Sequence, residues 1–440
     1  MDARKVTGAD DALLTDGVPA DAGAQAPAGG VRPQGMRPQV KAVTVVVFLV
    51  YMSQMMLSPV LSPLARELGL AEWQLGLTIS VAAIMVVLTS QSWGRHAQSH
   101  GARRVLGQAV ALAGTAMVAF VATAWAGTTG LLGTGLVFVL VLAIRGLAFG
   151  ASMAAVAPTA QTYIAKVTGT EHERVKGMAG LGAAQGMAMV FGAGLGGALA
   201  AFGLLVSLAF VPVLLVIGLV VVSRLRPEPV GVAVEKAPWV SPRDPRVWPF
   251  LVAGFGMFTS LGFIQVITGF MVQDRFGLGA EATGLATGGT LLAAGIGQIV
   301  AQALIVPRSG WAPFKLLRIG SAVALVGFVM LIPNAGAVVF VTSIFVIGFG
   351  LGIATPGYTA GPSLLMKRRE QGGLAGTLGM NNGLTFVLAP TIGTVTYGIG
   401  HVLPVVIGAV VMGLVVCFVW MHPAVRQRPE AESLPLPDAV

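Results

Sequence analysis

Runs of about 20 apolar residues recur along the whole chain, and no other feature limits its fold so tightly. A helix rises about 1.5 Å per residue, so each run can cross a hydrocarbon core of roughly 30 Å. The 440 residues are 55% hydrophobic and 10% charged, against about 25% charged in a soluble domain. Lipid offers backbone groups no water, which leaves helices or closed barrels as spanning structures. Barrel strands would read as short alternating segments. These runs are continuous, so helices are expected, and the 60 glycines suit helices that approach closely in lipid. The expected fold class is an all-α membrane protein.

Twelve spans can be drawn, at 41–64, 75–95, 104–125, 131–163, 177–200, 203–223, 247–271, 282–306, 315–333, 336–364, 373–398 and 402–421. An even number puts both termini on one side. Cytoplasmic loops are enriched in Lys and Arg. With the termini inside, all of the 27 Lys and Arg except Arg66, Arg145 and Arg275 fall in cytoplasmic segments. The net charge of +9 therefore reports orientation rather than a nucleic-acid partner. The expected location is the inner (plasma) membrane, multi-pass, with both termini cytoplasmic.

Residues 1–40 carry Asp2, Asp10, Asp11, Asp16 and Asp21 and no apolar core. They read as a disordered cytoplasmic tail, not a secretory signal. The expected domains are this tail, a six-helix bundle at 41–223, a Pro-rich cytoplasmic linker at 224–246, a second bundle at 247–421, and a C-terminal tail at 422–440. The bundles repeat each other. Arg66-Glu67-Leu68-Gly69-Leu70 aligns with Asp274-Arg275-Phe276-Gly277-Leu278. Gly182, Gln185, Gly186, Ala193 and Gly196 align with Gly379, Asn382, Gly383, Pro390 and Gly393. Parallel repeats with a site between them near mid-membrane describe a rocking transporter.

Four segments carry a family resemblance. The basic turn Gly94–Arg104 is similar to the loop between spans 2 and 3 of the major facilitator superfamily, roughly G-x-x-x-D-R-x-G-R-R/K. Gly94, Gly101, Arg103 and Arg104 match, and Gln98 stands at the acidic position. Arg145-Gly146-Leu147-Ala148-Phe149-Gly150 resembles the fourth-span R-x-x-x-G motif, with its Gly one place late. Gly192, Gly194, Gly196 and Gly197 resemble the end of the fifth-span antiporter motif, with Ala193 in place of its Pro. Pro158–Thr168 resembles the exit from span 4, with Lys166 where the family has Asp. Within the superfamily the resemblance is to the twelve-span drug:proton antiporters. It implies two pseudo-symmetric six-helix bundles, gating by Gly94, Gln98, Gly101, Arg103, Arg104, Gly192, Gly196 and Gly197, coupling at Arg145, and protons as the coupling partner.

Arg145 is the sole charged residue deep in a span. Insertion scales put such an Arg about 2.5–3.5 kcal/mol uphill, so it faces the bundle interior. It serves either coupling or a structural bond to backbone carbonyls. Candidate substrate-binding residues are Tyr51, Gln54, Met55, Gln185, Gln265, Tyr358, Asn381 and Asn382. Apolar walls with a few placed polar groups are the usual form of a small-molecule site, and methionines adapt to varied ligands. The competing reading of each amide is a helix–helix hydrogen bond. Pro59 and Pro63 are expected to bend or end the first span.

None of the 18 Asp and Glu lies mid-span; Glu67, Glu72, Asp274 and Glu281 sit at outer ends. Exporters of cationic drugs in the resembled group use a buried carboxylate, and Arg does not readily release a proton. A neutral or anionic amphipathic substrate is therefore favoured. The single cysteine, Cys417, and the five scattered His offer no metal spacing. No phosphate-binding G-x-x-x-x-G-K-[ST] loop is present. No cofactor, metal or catalytic constellation is expected, and the chain is read as a monomer and not an enzyme. The expected function is export of small amphipathic compounds by alternating access, with protons as counter-substrate. The alternatives are import of a small organic anion drawn by Arg145, and a non-transporting membrane receptor or scaffold.

Overall fold

The computed structural model describes residues 37–168, 171–225, 239–367 and 370–422. Nearly all of the expected tails at 1–40 and 422–440, and more than half of the linker at 224–246, lie outside those residues. Twelve long helices follow one another. The first half holds α1 Arg37–Glu67, α2 Glu72–His100, α3 Ala102–Thr128, α4, α5 Glu171–Ala200 and α6 Leu204–Ser223. α4 is continuous through Thr134–Val141, Leu142–Ala148 and Phe149–Val167. The second half holds α7 Trp248–Phe276, α8 Ala280–Ser309, α9 Pro313–Leu331, α10 Ala337–Leu364, α11 Gln371–Ile399 and α12 Leu403–Met421. Among the described residues there is no strand.

Eleven of these helices are long and apolar enough to cross a membrane, and α11 is the one that falls short. Asn381, Asn382 and its threonines lower its hydropathy, and it packs against α2, α7 and α12. A span shielded by protein on several sides needs less apolar surface than one facing lipid. Pro59 and Pro63 lie inside α1, which continues to Glu67, so neither ends it.

The connections are tighter than the apolar runs alone suggest. The loop expected at 95–104 is mostly helix: α2 runs to His100 and α3 begins at Ala102. One residue turns the chain, Gly101, at φ 86°. A side chain would be strained there, which accounts for glycine. The repeat found in the sequence is visible at the opposite end of the bundle. Gly69 (φ 70°) closes the α1–α2 turn, and its aligned partner Gly277 (φ 61°) closes α7–α8.

In the first half α1 packs on α5 and α6, α2 on α4, and α3 on α6. In the second, α10 packs on α8 and α9, and α7 on α11 and α12. The halves meet where α2 faces α11, α5 faces α8, and α1 faces α7 and α8. The end of the bundle bearing Arg37 and Met421 is called the terminal end below, and the opposite one the distal end.

Candidate functional site: a central cavity closed at one end

A small cavity of about 100 Å³ lies between the halves. From the first half α1 contributes Gln54, Met55, Ser58, Leu61 and Ser62, α2 contributes Leu75 and Ile79, and α4 contributes Arg145. From the second, α7 contributes Gly262, Gln265 and Val266, and α11 contributes Phe386 and Pro390. Gln54, Ser58, Leu61 and Ser62 share one face of α1 by helical spacing. The serines four and eight residues beyond Gln54 were the sequence signal for that stripe. Phe386 was likewise missed, since one aromatic in an apolar helix gives no signal of its own.

Arg145 is buried, with 5% of its surface exposed. Its Nε has no hydrogen-bond partner, and among the described residues no carboxylate is within ion-pair reach. The guanidinium lies over the Phe149 ring, 4.7 Å from its centroid. A local irregularity supports this placement. Leu142–Ala148 forms a π turn, in which the Phe149 N–H bonds to the Ile144 carbonyl, five residues back. A π turn absorbs one extra residue. This explains the late glycine of the motif: Gly150, five residues after Arg145, lands in close packing with α2. A Cβ built on Gly150 would lie 2.7 Å from the Ala82 Cα.

The structure thus brings Gln54, Met55, Gln265 and Arg145 together. Tyr51 and Gln185 are half-buried and are not among the lining residues. Tyr358, Asn381 and Asn382 form a network inside the second half instead. The Tyr358 hydroxyl donates to Asn382 Oδ1 at 3.0 Å. Asn381 Nδ2 donates to the Leu251 carbonyl at 3.2 Å and to the Tyr358 hydroxyl at 3.3 Å. In this conformation these amides tie α7, α10 and α11 together.

The expected gating residues divide by position. Gly192 and Gly196 press on α1 within the first half, against Met52, Met55 and Met56. Gly197 instead meets the second half: a Cβ there would lie 2.6 Å from the Gly288 Cα of α8. Gly94 has open space around it. Arg103 donates to the Ser223 carbonyl at the end of α6, 2.8 Å away, and Arg104 is exposed. Gln98 lies in the last turns of α2.

Distal closure of the cavity is polar as well as steric. Arg66 donates to both carboxylate oxygens of Asp274, at 2.8 Å for Oδ2, and also to Glu72 at 3.1 Å and Gln273 at 3.2 Å. The Tyr397 hydroxyl donates to the same Asp274 at 2.6 Å. Thr391 donates its hydroxyl to Ser80 Oγ at 2.7 Å, joining α11 to α2, and Ser62 donates to the Val266 carbonyl at 3.3 Å. Arg66 and Asp274 are 208 residues apart, the aligned positions of the two repeats. Residues related by a two-fold meet each other near its axis. Opposite charges at that position turn a repulsive self-contact into an attraction.

At the terminal end the ion pairs of Arg246 stay within one half. Arg246 pairs with Asp244 at 2.7 Å and with Glu370 at 3.3 Å. The Arg246 hydrogen bond holds the Asp244 carboxyl below the usual carboxylate range. The Lys367 backbone N–H, and then Arg246, do the same for Glu370. Among the described residues no group of three or more His, Cys, Asp or Glu could hold a metal ion.

Two six-helix halves with a cavity between them are the architecture of a multi-pass membrane transporter. The sequence profile of the Major Facilitator Superfamily matches residues 43–390, and the chain belongs to that superfamily. No curated protein matches the sequence. Solved structures share the fold. The human organic anion transporter MFSD10 is 16% identical, with 88% of this chain and 99% of that one covered, at a TM-score of 0.61. A bacterial homologue of the lysosomal transporter Spinster, inward-facing and unoccupied, is 14% identical over 89% of this chain and 97% of that one, at 0.68. A bacterial homologue of the iron transporter ferroportin, also inward-facing, is 16% identical over 88% and 99%, at 0.64.

Proposed function

We propose that the protein exports small amphipathic compounds across the plasma membrane by alternating access, against proton entry. The observation that carries this reading is the cavity itself: a few polar groups set in apolar walls, contributed by both halves and bordered distally by the Arg66–Asp274 and Thr391–Ser80 contacts. Its mixed lining suits a molecule with one polar end. The positive-inside pattern places the terminal end in the cytoplasm, so the cavity is loaded from inside. The absence of any mid-membrane carboxylate disfavours cationic substrates and leaves neutral or anionic ones. Coupling to proton entry would then rest on the outer carboxylates, a histidine or the field of Arg145.

Expression in an efflux-deficient host tests the reading with neutral, anionic and cationic amphipathic compounds. Lower cellular accumulation of at least one compound is expected. Raised accumulation would make the protein an importer. No change with any compound would support a receptor or scaffold.

A further inference from the structure

Arg145 is a buried cation for which the described residues supply no counter-charge. It is almost wholly enclosed, its Nε has no acceptor, and its guanidinium lies over the Phe149 ring face. The nearest candidates by role are committed elsewhere: Asp274 and Glu72 both bind Arg66. A guanidinium carries five N–H donors and no acceptor, and a buried charge is normally paired. Here Arg145 is one of the residues that line the cavity.

Building on the transport reading above, we propose that the substrate carries a carboxylate, which docks on Arg145 and becomes its missing counter-charge. A carboxylate matches the planar fork of Arg with two parallel hydrogen bonds. Gln54 on α1 and Gln265 on α7 flank the same space and add amide donors, one from each half. Met55, Ile79 and Phe386 provide the apolar wall for the rest of the molecule. The arrangement links recognition to movement. An anion held by both halves draws them together, and it neutralises the charge that closure would otherwise seal in an apolar space. A cationic group of the same shape would meet Arg145 with like charge, and a neutral amide would leave that charge uncompensated.

The test uses the purified full-length protein in nanodiscs at neutral pH with three probes sharing one body: phenylbutanoate, phenylbutanamide and phenylbutylamine. Calorimetry is expected to show phenylbutanoate binding at least about tenfold tighter than the other two. Arg145→Gln is expected to remove that preference, and Arg145→Lys to keep part of it as a point charge. If Arg145→Gln does not give monodisperse protein, Gln54→Leu with Gln265→Leu serves instead, with phenylbutanoate binding about fivefold weaker expected. Equal or tighter binding of the amide or amine overturns the proposal. So does a carboxylate preference that survives Arg145→Gln, unchanged binding in the double Gln variant, or binding of none of the three probes. Each of these outcomes leaves the transport reading to the accumulation assay, which fails only if no compound is moved.

Discussion

The two ends of the molecule are built from the same repeat yet behave differently. At the distal end the halves are fastened to each other. Arg66 grips Asp274, Thr391 bonds Ser80, and Gly197 lies backbone to backbone with Gly288. At the terminal end, Arg103 and Arg246 make local fastenings. Arg103 holds α3 to the end of α6. Arg246 holds the start of α7 to the turn before α11. Gly180, Gly182 and Gly186 on α5, and Gly376 and Gly379 on α11, have open space where a side chain would go. Each half is fastened within itself, while among the described residues the polar contacts between halves gather at the distal end. Such a join can be released and remade without unpacking either bundle.

The largest way to break this contrast is steric. Gly197→Val puts a branched side chain where even a Cβ has no room, and closely packed interiors do not yield smoothly. The distal end should stay open and transport should stop. In a Cys417→Ser background, a cysteine placed at Ser62 should react with an impermeant maleimide added from the distal side far faster than without the valine. An unaltered labelling rate would show that the Gly197–Gly288 contact does not hold the end shut.

Next comes the ion pair. Asp274→Asn removes a charge-assisted pair that is three-quarters buried, with side-chain exposures of 25% and 20%. A loss of about 2 kcal/mol from the closed state is expected, a shift of roughly 30-fold toward distal opening. The same labelling assay reads it. Because the partners are repeat equivalents, exchanging them (Arg66→Asp with Asp274→Arg) should restore most of the closure. A double variant as open as the single one would refute the pairing.

Smaller still, Ser80→Ala deletes one hydroxyl contact between α2 and α11. About 1 kcal/mol is expected, or roughly a fivefold rise in distal labelling. The same change is expected to leave the thermal midpoint of the isolated protein within a few degrees of wild type.

The smallest effect sharpens the contrast from the other end. Asp244 and Glu370 are held below their unfolded values by Arg246 and the Lys367 N–H. Lowered carboxyl values give stability that is full above the unfolded value, about pH 4, and lost as pH falls through the folded value. Arg246→Ala should therefore lower the thermal midpoint slightly at pH 6 to 7, as expected of solvent-exposed pairs. The difference should shrink as pH falls below about 4 and through the lowered folded values. Distal labelling should not change, since this fastening lies within one half.

Sequence reasoning read the frame well because its signals are periodic and physical. Apolar runs gave the helices, and the Arg66 and Asp274 segments gave the repeat that the distal pair and the glycine turns display. It read the joints less well. The α2–α3 connection looked like a loop because charged residues cluster at 95–104, but charge at a membrane surface does not unwind a helix. α11 was drawn as an ordinary span although its amides and threonines are tolerated only by its protein surroundings. In the site, Gln54, Met55, Gln265 and Arg145 were legible as rare polar or soft groups in apolar helices. Tyr358, Asn381 and Asn382 looked alike by that criterion, and only three-dimensional packing shows them bonded to one another. The late glycine after Arg145 read as a departure from the family pattern, and the π turn supplies its physical reason.

The central claim is that the distal end must open and close for transport to occur. Ser80 and Thr391 lie with their hydroxyl oxygens 2.7 Å apart, close enough for a disulfide between cysteines placed there. In a Cys417→Ser background, Ser80→Cys with Thr391→Cys should transport when reduced, stop on oxidation, and recover when reductant is added back. Undiminished transport by the fully cross-linked protein would contradict the account.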